Sequence, residues 1–430
     1  MDDSSQYRLD GSIVPRHYGL WLRPCLDGPH PSIQGSLTLR FQSTRQLSTL
    51  RLNALALSCV DATLERGDRR LELAIDDSES ALEFVSFHLL DAPPLAEGEE
   101  AILRVHFAAA VASEETPGVL SANGAGHGCY IACGGGRAED GEGPCCPCLA
   151  TYLEPTNARC LFPCVDEPAY KCPFRLTVAL DALPEGYAVL SNAEVERASD
   201  SELAFGETPP MSTYLFSIVA GPLHFLESFT SRGLKLRVYL PRGEPLAHGE
   251  LGLHLLREAV EFYEQLFAEK LPLQKLDLVG IRELGALAME NFGLLVFRLD
   301  YLAVSPQTIF SRVQRIVRLV GHEVSHHWFG NLTSIEWWTY LWLKEGFARF
   351  LEYVFVARLF PEWDYWTHFL SEIYHEALTE DANSRTSHAV EMPAPSHPRR
   401  VLDTFDAISY GKGAAVVRWL QEQLGWNVFA

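Results

Sequence analysis

From Ile13 to about Ala108 the apolar residues fall in short alternating runs, among them SLTLRF (36–41), LELAI (71–75) and ILRVHF (102–107), parted by Gly, Pro, Asp and Asn. A period of two broken by turn formers predicts the strands of an antiparallel β domain. The pattern resumes at FRLTVAL (174–180), STYLFSIVAG (212–221) and LKLRVYL (234–240). From Ala247 the period lengthens to that of a helix. LGLHLLREAVEFYEQLF (251–267) predicts a long amphipathic helix, and LDLVGI (276–281) a strand behind it. IFSRVQRIVRLV (309–320), the segment from Trp337 to Phe360 and GAAVVRWLQEQLG (413–425) keep helical spacing, so the remainder is expected to be mostly helix. The change of period puts the boundary between a β domain over 1–229 and a mainly helical domain over 230–430.

Helical spacing gives one motif a chemical meaning. His322 and His326 stand four apart in H-E-V-S-H, so they project from one face and can reach a single ion. Glu345 comes after eighteen intervening residues beyond the second histidine, near the start of the next predicted helix. Two histidines and a carboxylate leave a fourth position open for water, the donor set of a catalytic zinc rather than a structural one. Glu323 follows the first histidine directly and points off the ligand face, where it can take a proton from that water. HExxH can arise by chance on an amphipathic helix; two helices carrying ligands at this spacing are far more specific. Thirty residues upstream, LAMEN (287–291) sets Glu290 among apolar residues behind a strand. Alone it reads as a solvated face; beside a zinc-hydrolase helix it becomes an anion able to hold an α-ammonium.

Composition changes the picture at the margins. The 430 residues, 47% hydrophobic and 21% charged, describe ordinary globular chain with room for two or three domains. A net charge of −21 argues against nucleic acid as a partner. No run of eighteen apolar residues occurs, and the opening MDDSSQYRLDGS is acidic and polar, so no transmembrane segment and a cytoplasmic location are expected. Of ten cysteines, Cys129, Cys133, Cys145, Cys146 and Cys148 cluster in the Gly-rich stretch 118–148. Their spacing matches no common zinc knuckle, and a loop with free thiols is expected there.

LAMENFGLLVFR, HEVSHHWFGNLTSIEWWTYLWLKEGFARFLEY and FDAISYGKGAAVVRWL together resemble the zinc aminopeptidases of the puromycin-sensitive and aminopeptidase N type. TYLEPTNARCLFPCVDEPAYKCPF (151–174) and the opening RLDGSIVPRHYGLWLRP are similar to the same family, so the likeness runs through nearly the whole chain. It implies an α+β protein, with an N-terminal antiparallel β-sandwich-like domain ahead of a thermolysin-like, mainly α-helical catalytic domain. It also implies one Zn2+ on His322, His326 and Glu345, with Glu323 as general base. Leu287, Ala288, Met289, Glu290 and Asn291 would line the substrate, Glu290 and Glu154 holding the free N-terminus of a peptide. Tyr410 would support the oxyanion. Without the resemblance, Tyr410 reads as a core tyrosine and Glu154 as a turn residue before Pro155.

Three departures bear on the pocket. Leu287 stands where the family has glycine, Tyr152 where it has glutamine, and the Gly/Cys stretch replaces an ordinary hairpin. The chain also ends soon after Tyr410, which reads as a truncated catalytic domain whose helix 413–425 would leave apolar surface uncovered and favour self-association. Beside the aminopeptidase, two alternatives stand: a catalytically impaired peptide-binding remnant of the family, and an epoxide hydrolase of the leukotriene-A4-hydrolase type.

Overall fold

The computed structural model describes residues 6–26, 30–90, 92–112, 127–132 and 147–429. It divides into two compact units, Met1–Leu223 with Ile281–Gly285, and His224–Gly280 with Ala286–Ala430.

The first unit is β-rich. Its larger sheet has ten strands, in the order Val195–Ala198, Glu202–Phe205, Phe174–Ala179, Ile13–Cys25, Ser32–Ser43, Glu100–Ala110, Leu57–Arg66, Arg69–Asp76, Phe84–Leu89 and Thr49–Asn53. Alternation drives it: along Glu100–Ala110, Ala101, Leu103, Val105, Phe107 and Ala109 are buried while their neighbours face outward. The sheet is not purely antiparallel, since Ile13–Cys25 runs parallel to Phe174–Ala179, with Tyr18 opposite Phe174. A parallel pair needs a long crossover, which short-range periodicity does not reveal. The aromatic centre of this unit joins Tyr18 to Phe174 (rings stacked, centroids 4.7 Å apart), with Phe162 edge-on to both Tyr18 and Phe216.

A four-stranded sheet follows the order Ala188–Ser191, Ile218–Gly221, Cys148–Tyr152, Gly128–Ala132. Two expectations change here. Residues 212–221 are not one strand: Thr213–Leu215 is a 3-10 turn and pairing begins at Ile218. The Ser212 and Thr213 hydroxyls donate to the Pro168 carbonyl (2.6 Å) and to Asp166 (2.7 Å), bonds that draw the backbone away from a ladder. Nor is the Gly/Cys stretch wholly a loop, because Cys129 and Cys148 are buried in paired strands, where a thiol packs as a small apolar group. Cys133, Cys145 and Cys146 lie outside the described residues.

The second unit carries a five-stranded sheet, in the order Leu223–Phe229, Lys235–Pro241, Lys275–Ile281, Leu294–Arg298, Ala288–Met289. Its central strand Lys275–Ile281 is buried throughout and parallel to Lys235–Pro241. Helix α1 (Glu250–Phe267) makes the crossover between them. Helix α2 (Phe310–Ser325) and helix α3 (Leu341–Leu359) carry the motif residues, α3 being entered through a 3-10 turn at Trp338–Tyr340. The Tyr263 hydroxyl of α1 is fully buried and lies 3.0 Å from the Gly321 carbonyl and 3.1 Å from the Leu351 carbonyl, tying the three helices at one point. Helix α4 (Gly413–Leu424) packs on α3 where two glycines meet: a Cβ on Gly346 would fall 2.8 Å from the Gly413 carbonyl carbon. Among the described residues, no helix is long and apolar enough to cross a membrane.

Candidate metal centre

Helix α2 ends inside the H-E-V-S-H motif. His322 and Glu323 lie in its last turn, and His326 caps it with its N–H still donating to the His322 carbonyl at 3.2 Å. The helical repeat therefore survives to the second histidine and brings the two Nε2 atoms to 3.1 Å. Gly321 permits the depth at which this turn sits, since a Cβ there would lie 2.6 Å from the Phe355 ring of α3. From α3, Glu345 Oε2 lies 3.4 Å from each Nε2. One donor atom from each of His322, His326 and Glu345 falls within 4.8 Å of the others, all three side chains being buried.

The donor set fits a metal. Four ligands about 2.0–2.1 Å from a tetrahedral zinc lie roughly 3.3 Å apart, close to the spacings found here. Glu345 Oε2 is buried and accepts no hydrogen bond, an expense a protein rarely bears without a partner from outside. The far sides of both rings are held. His326 Nδ1–H donates to the Phe329 carbonyl (2.9 Å), and His322 Nδ1 faces Glu352 Oε2 at 2.7 Å. Such outer partners fix ring orientation and sharpen a ligand's basicity. Burial pushes His322 down, but Glu345 and Glu352 beside it carry it up to about 9, so without metal the ring holds a proton that a cation must displace. The third histidine of the run, His327, is of another kind. It accepts from the Gly293 N–H (3.3 Å), donates to the Glu323 carbonyl (3.3 Å), and burial pushes it down to about 4.

Acidic groups crowd the same place. Burial and the charges of Glu290 and Glu345 push Glu323 up to about 8, although His322 pulls the other way. Burial opposes the charge of Glu290, yet Lys344 and His326 hold its carboxyl below the usual range. Glu345 is likewise disfavoured by burial and held well down by Lys344 and the two histidines. Glu290 follows the edge strand Ala288–Met289, in the turn that returns to Leu294–Arg298. Asn331 clamps that turn to the end of α2, its Nδ2 donating to the Glu290 carbonyl (2.9 Å) and its N–H to the His326 carbonyl (3.0 Å).

The remaining predicted residues divide. Tyr410 lies in a π turn, Ile408–Lys412, just ahead of α4; its ring is stacked 6.2 Å from His322 and lies under the Arg349 guanidinium at 5.2 Å. Asp406 holds the turn by accepting from the N–H groups of Ile408 (3.0 Å) and Ser409 (2.9 Å). Ala288, Met289 and Asn291 are buried, and Leu287 is half-buried with its carbonyl accepting from the Arg298 N–H (2.9 Å). Glu154 belongs to the first unit, buried behind the strand Cys148–Tyr152 and joined to Pro155 by a cis peptide.

Sequence reasoning missed Glu352, Arg349 and Lys344. Burial opposes the charge of Glu352, but Arg349 (2.7 Å), His322 and Arg318 (3.2 Å) hold its carboxyl down to about 2. The signal was there: Glu345, Arg349 and Glu352 recur at helical spacing, a charged stripe on one face of a helix otherwise rich in buried apolar residues.

The profile described as "Peptidase M1 N-terminal domain" matches residues 14–215, and "Peptidase family M1 domain" matches residues 251–430. Aminopeptidase M1-A of Oryza sativa subsp. japonica is 34% identical over 99% of this chain and 46% of its own length. Puromycin-sensitive aminopeptidase of Caenorhabditis elegans is 31% identical over 98% of this chain and 43% of its own. Aminopeptidase M1 of Arabidopsis thaliana is 42% identical over 65% of this chain and 32% of its own. The chain thus spans less than half the length of each of these relatives.

Proposed function

Since the chain belongs to peptidase family M1, we propose that it removes N-terminal residues from peptides at a zinc held by His322, His326 and Glu345. The observation that carries this reading is the convergence of two imidazole nitrogens and one hydrogen-bond-free carboxylate oxygen at a buried point. Zinc bound there would polarise the scissile carbonyl and make water a nucleophile near neutral pH. Glu323 takes the proton of the attacking water and returns it to the departing amine. A carboxylate fixed beside the ligand pair serves both directions of that transfer, as base toward the water and as acid toward the amine. Tyr410 is assigned to the oxygen on which negative charge develops, where a fixed donor acts most strongly in a site shielded from water. Glu290, joined by Glu154 on family resemblance, is assigned to the substrate's α-ammonium. An anion fixed at that end sets the register, so that cleavage falls after the first residue.

Metal analysis and turnover of an aminoacyl-fluorophore test the reading together. The native protein should carry one zinc, and His322→Ala should lose it. Glu323→Gln should keep the metal and lose about 10²–10⁴-fold in turnover, the range of general acid–base catalysis. Native protein free of zinc, or full turnover by the Gln variant, would sink the assignment.

A further inference from the structure

One cation is already built into the acidic cluster. Lys344 Nζ lies 2.7 Å from Glu290 Oε1 and 2.7 Å from Glu345 Oε1, its side chain 1% exposed. The stem runs past Gly330, at φ +135°, where a Cβ would lie 3.6 Å from the lysine Cδ. Packing and charge together hold the ammonium in place, away from bulk water. The carboxylate assigned above to a substrate ammonium therefore already carries one of the protein's own.

We infer that Lys344 is a specificity-determining residue: resting on the aminopeptidase reading, it competes with the peptide α-amine for Glu290 and weakens the capture of free N-termini. A carboxylate accepts several hydrogen bonds, so an incoming amine need not expel the lysine. It does meet an anion already neutralised, and a like charge beside it in a buried site. The same ammonium occupies Oε1 of Glu345 and leaves Oε2 to face the two histidines, so the carboxylate offered to a metal is also part-neutralised. One residue thus loosens two equilibria, amine binding and metal binding, and both can be read without turnover.

Lys344→Gln keeps a hydrogen-bond donor of similar reach without the charge, Lys344→Asn is a shorter neutral replacement, and Lys344→Arg retains a cation. L-leucinamide and N-acetyl-L-leucinamide would be titrated by calorimetry into each zinc-loaded protein, with zinc retention measured against a competing chelator. Both neutral variants should bind L-leucinamide about tenfold more tightly than the native chain, the scale expected when a like charge is lifted from a buried contact. Their affinity for the acetylated amide should not move, and they should hold zinc more firmly. Lys344→Arg should behave as the native protein does. Equal tightening toward both amides, or none, overturns the inference, and so does loss of the melting transition in both neutral variants, which would make Lys344 a structural counter-ion. A native protein that hydrolyses no aminoacyl substrate would overturn the aminopeptidase reading instead. An active aminopeptidase whose L-leucinamide affinity is indifferent to Lys344→Gln would overturn this inference alone.

Discussion

Two buried ionic clusters, one in each compact unit, use the same residue types and end differently. In the first unit Arg159 donates from Nε to Asp166 (2.9 Å), from Nη1 to Glu83 (2.9 Å) and from Nη2 to the Asp166 carbonyl (3.1 Å). The second oxygen of Asp166 accepts from Thr213 and its N–H donates to Asn53. Side chains of the protein complete that network. In the second unit Glu290, Glu323 and Glu345 share Lys344 and two histidines, Glu345 Oε2 accepts no hydrogen bond, and Glu323 is pushed up to about 8 because its charge is unwelcome. A closed cluster fastens a fold, whereas a buried cluster that leaves a carboxylate oxygen without a hydrogen bond has work left for a ligand.

The sharpest way to break this contrast is to open the closed cluster. Arg159→Met should leave Glu83 and Asp166 buried without their cation, at a cost of about 3–5 kcal/mol in unfolding free energy by urea titration. Glu323→Gln should cost little stability in metal-free protein, because it removes a charge that the fold disfavours. If the two variants were equally damaging, both clusters would be structural and the distinction would fail.

Glu352→Gln probes the boundary between the two kinds of cluster, since Glu352 is closed by arginines on one side and faces His322 on the other. Losing such an outer partner typically weakens metal binding by about 10–100-fold. The pH dependence carries a second signature. His322 is raised to about 9, so in metal-free protein its contribution to stability is whole below the ordinary histidine range and disappears as pH climbs through about 9. Zinc must displace that proton, so affinity should climb over the same window. Removing Glu352, one of the two carboxylates that raise His322, should move the rise to lower pH. A zinc-affinity profile identical in the native and Gln proteins would show that Glu352 does not act through the ring.

Much of this site was legible because its core is periodic. H-E-V-S-H lies on a helix, so sequence spacing alone predicts that His322 and His326 face one point, and α2 runs through that span. Lys344 was not legible in the same way. It stands beside Glu345 in the chain, and only the hairpin turn at Glu290, clamped by Asn331, brings a second carboxylate to its ammonium. The fold divides similarly. The alternating runs at 36–41, 71–75 and 102–107 fall within strands, whereas the parallel pairing of Ile13–Cys25 with Phe174–Ala179 depends on residues more than a hundred positions apart. Residues 212–221 misled because their apolar content suits a strand, while Ser212 and Thr213 spend their hydroxyls on distant acceptors.

Leu287 offers the smallest effect and the finest comparison, between a side chain and the backbone that carries it. The backbone there is pinned: the Leu287 carbonyl accepts from Arg298, and the next two residues pair with Phe297 and Val296. Leu287→Gly should therefore leave the strand in place, at about 0.5–1 kcal/mol for glycine's greater freedom when unfolded. What changes is the space ahead of Ala288 and Glu290, where a peptide backbone would pass if the proposed function holds. With the leucine present, small N-terminal side chains should be preferred over bulky ones. Its removal should raise kcat/KM on aminoacyl substrates with large side chains by about three- to tenfold, toward the low end of what shape differences in an apolar pocket supply. Zinc content should stay the same, because Leu287 supplies none of the three metal donors. An unchanged preference across a panel from alanyl to phenylalanyl substrates would place Leu287 outside the pocket and remove it from the substrate-binding set.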